Sequence, residues 1–223
     1  MSSAPSPALS ALSALQPAAS PGAPETRRRL LGAALAVFGR YGYRRASMEA
    51  VAAEAGISRQ GLYRHYAGKE ALFAAAISHL HDRGDAAGAE AAAAARAAGG
   101  GIAAVAGALI GARLAFYAAE IYASPHAAEL LEESGRLGGP ELARRARPSR
   151  AALAAELARA GTRFADGLTA GDLADLLILA TAGVKHGVRP GRVRAEAQKI
   201  VGYLLEGAAG ARRSPRNGGR HHA

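Results

Sequence analysis

A short run, Ser58-Arg59-Gln60-Gly61, carries residue types that can read base pairs in double-stranded DNA. The guanidinium of Arg59 suits the O6 and N7 acceptors of guanine, and the amide of Gln60 suits N6 and N7 of adenine. Ser58 is a good N-cap, so a helix is predicted to begin directly after it. Its first turn would project outward, with Arg59, Gln60 and Gly61 free to face base edges in a major groove.

The elements around this run have the spacing of a helix-turn-helix. Ser47 is the predicted N-cap of a preceding short helix, and Gly56-Ile57-Ser58 forms a three-residue turn with Ile57 directed to the core. The inward positions of that short helix are Met48, Val51, Ala52 and Ala55. The helix after the turn contains Leu62 and Tyr63, and Tyr66 is interpreted as a core aromatic residue.

A longer helix is predicted on each side of this motif. The first begins at Glu25 and ends at Gly42, with an apolar stripe at helical spacing formed by Leu30, Leu31, Ala34, Leu35, Phe38 and Tyr41. The last begins at Lys69, with Gly68 as its N-cap, and runs through Leu72, Phe73, Ile77 and Leu80. An Ala-rich tract at 86–101, ending in three glycines, is interpreted as its tail followed by a break.

The segment from Ser47 through Leu72 resembles the TetR family of transcriptional regulators. The matching elements are Ser47, Val51-Ala52, Ala55-Gly56-Ile57-Ser58, Leu62-Tyr63-Arg64-His65-Tyr66 and Lys69-Glu70-Ala71-Leu72, preceded by Leu31, Ala34, Phe38 and Gly42. The resemblance implies that Tyr63, His65 and Lys69 contact phosphates and that the run from Ser58 to Gly61 lies at base edges. The full implied DNA-binding set is Ser47, Ser58, Arg59, Gln60, Gly61, Tyr63, Arg64, His65 and Lys69.

Composition predicts an all-α protein of 223 residues. There are 60 Ala and 24 Leu against 18 Val, Ile and Thr together, which favours helices and nearly excludes β-sandwiches, β-barrels and parallel sheets. The expected domains are a helix-turn-helix domain at 25–72 and a helical effector-binding and dimerisation domain at 73–208. Disordered tails are expected at 1–24 and, with a basic composition, at 209–223. The later helices are expected near 102–122, 125–136, 140–160, 171–186 and 190–208.

The positive charge is concentrated at the two ends of the chain. Of the net charge of +10, residues 25–72 contribute +5 and residues 207–223 contribute +4, whereas the 134 residues between them contribute only +1. A basic module followed by a nearly neutral helical body indicates that one end binds a polyanion and that the body has another task. The segment Ile102–Ala119 is nearly long enough to span a membrane, but it contains Arg113. It is therefore interpreted as a buried helix of a cytoplasmic protein without a membrane partner.

The body is expected to bind a small, largely apolar or aromatic organic effector. The larger apolar groups in a region rich in Ala and Gly can leave a cavity between helices, with tyrosine hydroxyls supplying polar contacts. The candidate effector residues are Leu109, Phe116, Tyr117, Tyr122 and Phe164. The zero cysteine count excludes thiolate chemistry, and no metal site or cofactor is expected, since only His126 and Glu129 have ligand spacing.

The last two long helices carry broad apolar faces and predict a homodimer. The candidate interface residues are Leu173, Leu176, Leu177, Ala180, Ile200, Val201, Leu204 and Leu205. The family resemblance implies a four-helix bundle at this interface, and a two-fold dimer would read a palindromic operator.

Three function classes remain open from the sequence. The first is a ligand-responsive DNA-binding regulator, for which repression is the commoner habit of the resembled family. The second is an all-α enzyme or small-molecule carrier with an incidental helix-turn-helix, although no set of nucleophile, base and orienting group can be assembled. The third is an architectural DNA binder without an effector, which leaves about 130 residues of the body without a task.

Overall fold

The computed structural model describes residues 23–161, 167–184 and 188–210, with only the backbone at 23, 138–147, 190 and 207–210. Within these ranges the chain is α-helical and has no β-strand. The helices are α1 (Ala23–Arg45), α2 (Met48–Glu54), α3 (Arg59–His65), α4 (Lys69–Ala97), α5 (Ile102–Tyr117), α6 (Ala127–Arg159), α7 (Ala170–Thr181) and α8 (Val193–Gly210). A π-helical turn, Ala118–Tyr122, extends α5, and a 3-10 turn, Pro190–Arg192, precedes α8. The expected all-α fold is confirmed.

Helices α1 to α4 surround the first of two apolar cores. Leu30, Phe38, Leu62 and Phe73 are at most 2% exposed in this core. The rings of Phe38 and Phe73 meet edge to face with their centroids 5.0 Å apart, and Tyr43 lies 4.9 Å from Phe73. These contacts join α1 to α4 across the helix-turn-helix.

The turn between α2 and α3 is built by local hydrogen bonds that the sequence predicts. The Ser47 hydroxyl accepts from the Ala50 N–H and caps α2, and the Ser58 hydroxyl accepts from the Gly61 N–H and caps α3. Gly56 has φ +66°, a left-handed conformation that favours glycine, and ends α2. The N–H groups of Gly56 and Ile57 bond back to the carbonyls of Ala53 and Ala52, as in a Schellman motif.

Helix α5 is the central helix of the second core. It packs mainly against α4 and α8. Together with the π-helical turn it forms the segment Ile102–Tyr122, which is the one helix in the described part of the chain that is long and apolar enough to cross a membrane. Of its most apolar window, 61% is buried inside the protein. This burial agrees with the interpretation of the segment as a core helix.

Two boundaries differ from the expectation. The segments expected at 125–136 and 140–160 form one helix, α6, which continues through Gly138-Gly139-Pro140. Its two ends are anchored in different cores, Leu130 in the first and Leu157 in the second, and this packing outweighs the unfavourable local propensity. Helix α1 also begins at Ala23, inside the expected tail; apart from 23–24 and 209–210, both tails lie outside the described residues.

The apolar stripe of α1 also ends differently from the prediction. Tyr41, the last residue of the predicted stripe, is 44% exposed, and Tyr43 is buried instead. Gly42 has φ 77° and ψ 167°, which interrupts the helix and changes the phase of the residues after it. The interruption directs Tyr43, rather than Tyr41, toward Phe38 and Phe73.

We expect Gly42→Ala to destabilise the protein more than Gly56→Ala. Both positions have positive φ, which costs alanine roughly 1–3 kcal/mol, and with ψ 167° Gly42 lies in a region that glycine almost alone adopts. A Cβ at Gly42 would also collide with the carboxylate of Glu129 and lie 3.2 Å from His126 Cγ, whereas nothing lies within 4 Å of a Cβ at Gly56. The excess should be about 1–3 kcal/mol in the free energy of unfolding, measured by urea denaturation. Equal losses in the two variants would contradict both the backbone and the packing argument.

Candidate nucleic-acid interface and internal cavity

The first turn of α3 presents polar side chains on an open surface. Arg59 and Gln60 are exposed at the start of the helix, followed by Tyr63, Arg64 and His65, which are also exposed. Leu62, on the opposite face, is completely buried and fixes the helix against α1 and α4. The exposed face has the residue types and the projection that major-groove reading requires.

Arg59 is oriented before any DNA binds. Its Nη1 lies 2.6 Å from Glu49 Oε1 on α2, and its guanidinium lies 5.5 Å from the ring centroid of Tyr63. The pKa of Arg59 is raised, first by its hydrogen bond to Tyr63 and then by the charge of Glu49. The pKa of Glu49 is lowered, mainly because its carboxylate accepts a backbone hydrogen bond at its own residue, with Ser47 and Arg59 adding to the effect.

Gly61 does not lie on the exposed face where the sequence predicted it. It is buried, and a Cβ placed on it would lie 3.1 Å from the Ser58 hydroxyl and 3.7 Å from Ile57 Cδ1. Gly61 therefore faces the inside of the turn, because the residue that bonds to the capping serine points away from the exposed surface. Ser47 and Ser58 use their hydroxyl groups as helix caps.

Lys69 differs from its predicted role as a side-chain phosphate contact. Its ammonium group donates to the carbonyl oxygens of Tyr43 at 3.0 Å, Arg44 at 3.2 Å and Ala46 at 3.2 Å, and lies 4.7 Å from the centroid of the Tyr43 ring. An ammonium group has three N–H donors, and all three have carbonyl acceptors here. Lys69 ties the start of α4 to the end of α1. The backbone N–H groups at the start of α4 have no side-chain cap.

Tyr66 lies where the sequence predicted it. It is partly buried and packs against the first core, and this burial raises the pKa of its hydroxyl group. The ring helps to hold the end of α3.

A cavity of about 240 Å³ lies in the body between α4, α5, α6 and α7. Tyr117 and Tyr122, both predicted effector residues, line it, and burial raises the pKa of each hydroxyl group. The apolar lining residues are Ile77, Leu80, Ile110, Leu114, Ile121, Leu131 and Ile178.

Two of the predicted effector residues, Leu109 and Phe116, are not in this cavity wall. Leu109 lines a neighbouring pocket, and the ring of Phe116 lies under the guanidinium of Arg83 at 4.9 Å, because it points away from the cavity on the next face of α5. Phe164 lies outside the described residues.

The polar end of the cavity was missed from the sequence. Arg113 and His81 line it, and the Tyr117 hydroxyl group lies 3.2 Å from Arg113 Nε and 3.0 Å from His81 Nδ1. Arg113 and Tyr117 are four residues apart on one helix, a spacing that indicates a shared face. The approach of His81 from α4 has no sequence signal, since 36 residues separate it from Tyr117.

The described residues contain no group of three or more side chains that could hold a metal ion. His126 Nδ1 lies 4.0 Å from Glu129 Oε2, and Glu129 Oε1 accepts a hydrogen bond from the Arg44 backbone N–H at 2.6 Å. This pair joins α6 to the end of α1.

The predicted dimer residues divide into two groups. Leu173, Leu177, Val201 and Leu205 are at most 5% exposed, because they form the second core within the subunit. Leu176 and Leu204 are 47% and 41% exposed, Ala180 is exposed, and Ile200 is partly buried. Leu179 and Tyr203 are 74% and 68% exposed on the same two helices.

The geometry defines a helix-turn-helix domain joined to a helical body that contains a cavity. Residues 30–76 match the family model described as bacterial regulatory proteins, tetR family. A comparison with curated proteins gives no match.

Solved structures extend the likeness to most of the chain. A transcriptional regulator from Rhodococcus sp. Rha1 shares 23% identity, covering 82% of this chain and 97% of that one, with a TM-score of 0.59. A TetR transcriptional regulator from Streptomyces coelicolor shares 25% identity, with coverages of 82% and 98% and a TM-score of 0.54. SmeT, the repressor of the Stenotrophomonas maltophilia multidrug efflux pump SmeDEF, shares 18%, with coverages of 82% and 89% and a TM-score of 0.50. Residues 30–76 thus match the DNA-binding domain of the TetR family of transcriptional regulators, and the likeness in fold to such regulators extends over most of the chain.

We expect Lys69→Met to lower the free energy of unfolding by about 1–3 kcal/mol, because the carbonyls at the end of α1 lose a charged donor. The matched control is Arg64→Met, which removes an exposed charge and should change the free energy by less than about 0.5 kcal/mol. Urea denaturation measures both. A Lys69→Met protein of unchanged stability, with a salt slope of DNA binding lower by about one unit, would instead identify Lys69 as a phosphate contact.

Proposed function

We propose that this TetR-family regulator is a cytoplasmic homodimeric repressor that binds a palindromic operator and is released by a small organic effector. The observation that carries the DNA-binding part is the exposed first turn of α3, with Arg59 and Gln60 adjacent to the turn. Arg59 would bond to guanine O6 and N7, and Gln60 to adenine N6 and N7. Repression is proposed because it is the commoner habit of the family.

Contacts to the DNA backbone would surround this reading turn. Tyr63, Arg64 and His65 are exposed on α3 and can reach phosphates. The uncapped backbone N–H groups at the start of α4 would bind another phosphate, because a helix N-terminus carries partial positive charge. Glu49 would reduce nonspecific attraction beside Arg59, because its negative charge repels phosphate.

The exposed apolar side chains of α7 and α8 support the homodimer. Leu176 and Leu179 on α7 and Tyr203 and Leu204 on α8 are each more than two-fifths exposed, and water contact with such a surface is unfavourable. A second copy of the same surface would cover it in a two-fold arrangement. The two reading helices would then occupy equivalent half-sites of a palindrome.

The cavity is the proposed effector site, and two connections lead from it to the DNA-binding domain. Ile77 and Leu80 line it from α4, the helix that Lys69 ties to α1. Tyr122 lines it from the π-helical turn, and the nearby Ser124 hydroxyl group donates to the Gly39 carbonyl on α1 at 2.7 Å. If the effector and the operator favour different arrangements of these contacts, each must lower the binding affinity of the other by the same factor.

A regulator fits these features better than the two alternatives. An enzyme or carrier would leave the exposed reading turn without a task, and an architectural DNA binder would leave the cavity without one. The match of residues 30–76 to the TetR family of regulatory proteins favours a non-enzymatic regulator.

DNA selected from a random library by the full-length protein should contain a palindrome. When this DNA is placed over a promoter, the bound protein should block transcription.

Arg59→Ala and Gln60→Ala should each reduce discrimination between selected and scrambled DNA by about 1–3 kcal/mol for a lost bidentate base contact. Arg159→Ala, on the far end of α6, is the control. Fluorescence anisotropy at fixed salt measures the ratio of the affinities for selected and scrambled DNA. An unchanged ratio in both Arg59→Ala and Gln60→Ala would contradict the assignment of α3 as the helix that reads base pairs.

Leu204→Glu should dissociate the dimer, because a carboxylate would be buried at an apolar interface. Ala36→Glu adds the same charge to an exposed site on α1 and should leave the dimer intact. Sedimentation velocity at micromolar concentration measures both, and a wild-type protein that sediments as a monomer would disprove the homodimer.

A further inference from the structure

The cavity has a mostly apolar wall and one end that carries a charged group; Tyr122, Ser134 and Thr181 are the other polar lining residues. The polar end consists of Arg113, Tyr117 and His81, which are in mutual contact through the Tyr117 hydroxyl group. Seven Leu and Ile side chains form most of the remaining wall. A ligand that fills such a space needs an apolar body and a polar group at one end.

The polar end is held in place from behind. Arg113 Nε lies 2.7 Å from Asp85 Oδ1, and that same carboxylate oxygen accepts a hydrogen bond from the Ser149 hydroxyl group at 2.7 Å. Asp85 and Ser149 line the neighbouring pocket rather than the cavity. The guanidinium is therefore fixed in orientation, with its paired carboxylate outside the ligand space.

Donors for a ligand remain at this end. In the described part of the chain, the contacts of Arg113 with Asp85 and with the Tyr117 oxygen both use Nε, so the N–H groups on its two terminal nitrogens are left for water or a ligand. Since arginine only donates, the Tyr117 oxygen accepts that bond. Its own O–H is a donor for a ligand in the His81 tautomer in which Nδ1 carries the proton and donates to the same oxygen. Burial raises the pKa of Tyr117, which keeps the hydroxyl group protonated.

The charge of the lining selects against cations. Among the described lining residues, Arg113 is positively charged and there is no Asp or Glu, since its partner Asp85 lies in the neighbouring pocket. A ligand ammonium would face the guanidinium without a carboxylate partner in the cavity, which is unfavourable in a partly buried site. A carboxylate would instead accept charge-assisted hydrogen bonds from Arg113 and Tyr117.

The size of the cavity limits the apolar body. Its volume of about 240 Å³ exceeds the roughly 150 Å³ of an apolar protein cavity that accommodates benzene. The space therefore suits one substituted ring or a short alkyl chain, and it is too small for a multi-ring drug.

We propose that the effector is a small monocarboxylic acid, with one carboxylate bound by Arg113 and Tyr117 and an apolar body of one ring or a short chain. This inference rests on the proposed function, because it assumes that the cavity is the effector site.

Two matched ligand series test the chemical class by isothermal titration calorimetry on the full-length protein without DNA. The first is phenylacetate, phenylacetamide and phenethylamine, and the second is hexanoate, hexanamide and hexylamine. In at least one series the carboxylate should bind about tenfold or more tightly than the amide, and the amine should bind most weakly. Tighter binding of an amide or amine in both series, or no binding of either carboxylate at millimolar concentration, overturns the proposal.

Three variants test whether the ligand carboxylate binds at Arg113 and Tyr117. Arg113→Gln should weaken carboxylate binding about tenfold or more while leaving amide binding nearly unchanged. Tyr117→Phe keeps the ring and should give a smaller loss of the same selectivity, and it serves if Arg113→Gln does not fold. Phe116→Leu, on the same helix but outside the cavity wall, is the control and should keep wild-type selectivity. Selectivity for the carboxylate that survives in both cavity variants overturns the proposed contacts.

Failure of the inference and failure of the proposed function give different results. DNA release is measured separately, by anisotropy with the selected operator. A carboxylate that binds the protein but does not weaken DNA binding supports the ligand class and contradicts the regulatory role of the cavity. Release of DNA by the amides or amines, and not by the carboxylates, contradicts the ligand class and supports the regulatory role.

Discussion

Helix α4 belongs to both apolar cores, as α6 does, and the arrangement of the two domains depends on it. Its 29 residues span about 43 Å at the α-helical rise of 1.5 Å per residue. Leu72 and Phe73 lie in the first core near its start, and Ala92 lies in the second core near its end. Lys69 fixes the start of α4 to the last carbonyls of α1. The DNA-binding domain therefore cannot rotate against the body without a change in the packing of α4.

The cavity depends on the close approach of α4 and α5, which small residues permit. A Cβ on Gly84 would lie 2.6 Å from a ring carbon of Tyr117, and one on Gly88 would lie 2.7 Å from the Leu109 carbonyl oxygen. Because Gly84 has no side chain, the Tyr117 ring can cross α4 and its hydroxyl group can reach His81. The glycine content of α4, which is unfavourable for an isolated helix, thus positions the polar end of the cavity.

Features encoded within a few residues of sequence were predictable, and features that join distant segments were not. The Ser47 and Ser58 caps and the turn at Gly56 depend on bonds across three to five residues, so the pattern alone predicts them. The carbonyl partners of Lys69 lie 23 to 26 residues away, and no local pattern indicates them. Periodicity also identified the apolar faces of α7 and α8 without separating buried Leu177 from exposed Leu176, since both lie on one broad stripe.

The contacts that connect the cavity with the DNA-binding domain converge on the end of α1. Lys69 of α4 bonds there, Ser124 bonds to the Gly39 carbonyl, and Glu129 accepts the Arg44 N–H. Gly42 lies at the centre of this junction, and its conformation directs Tyr43 into the aromatic cluster that supports α3. An effector that changes the packing of α4 or of the π-helical turn would therefore act on one site from two sides. A coupling of 1–3 kcal/mol, typical of allosteric proteins, is comparable to the net value of one or two of these hydrogen bonds. The strength of these contacts therefore matches the coupling that the proposed effector response requires.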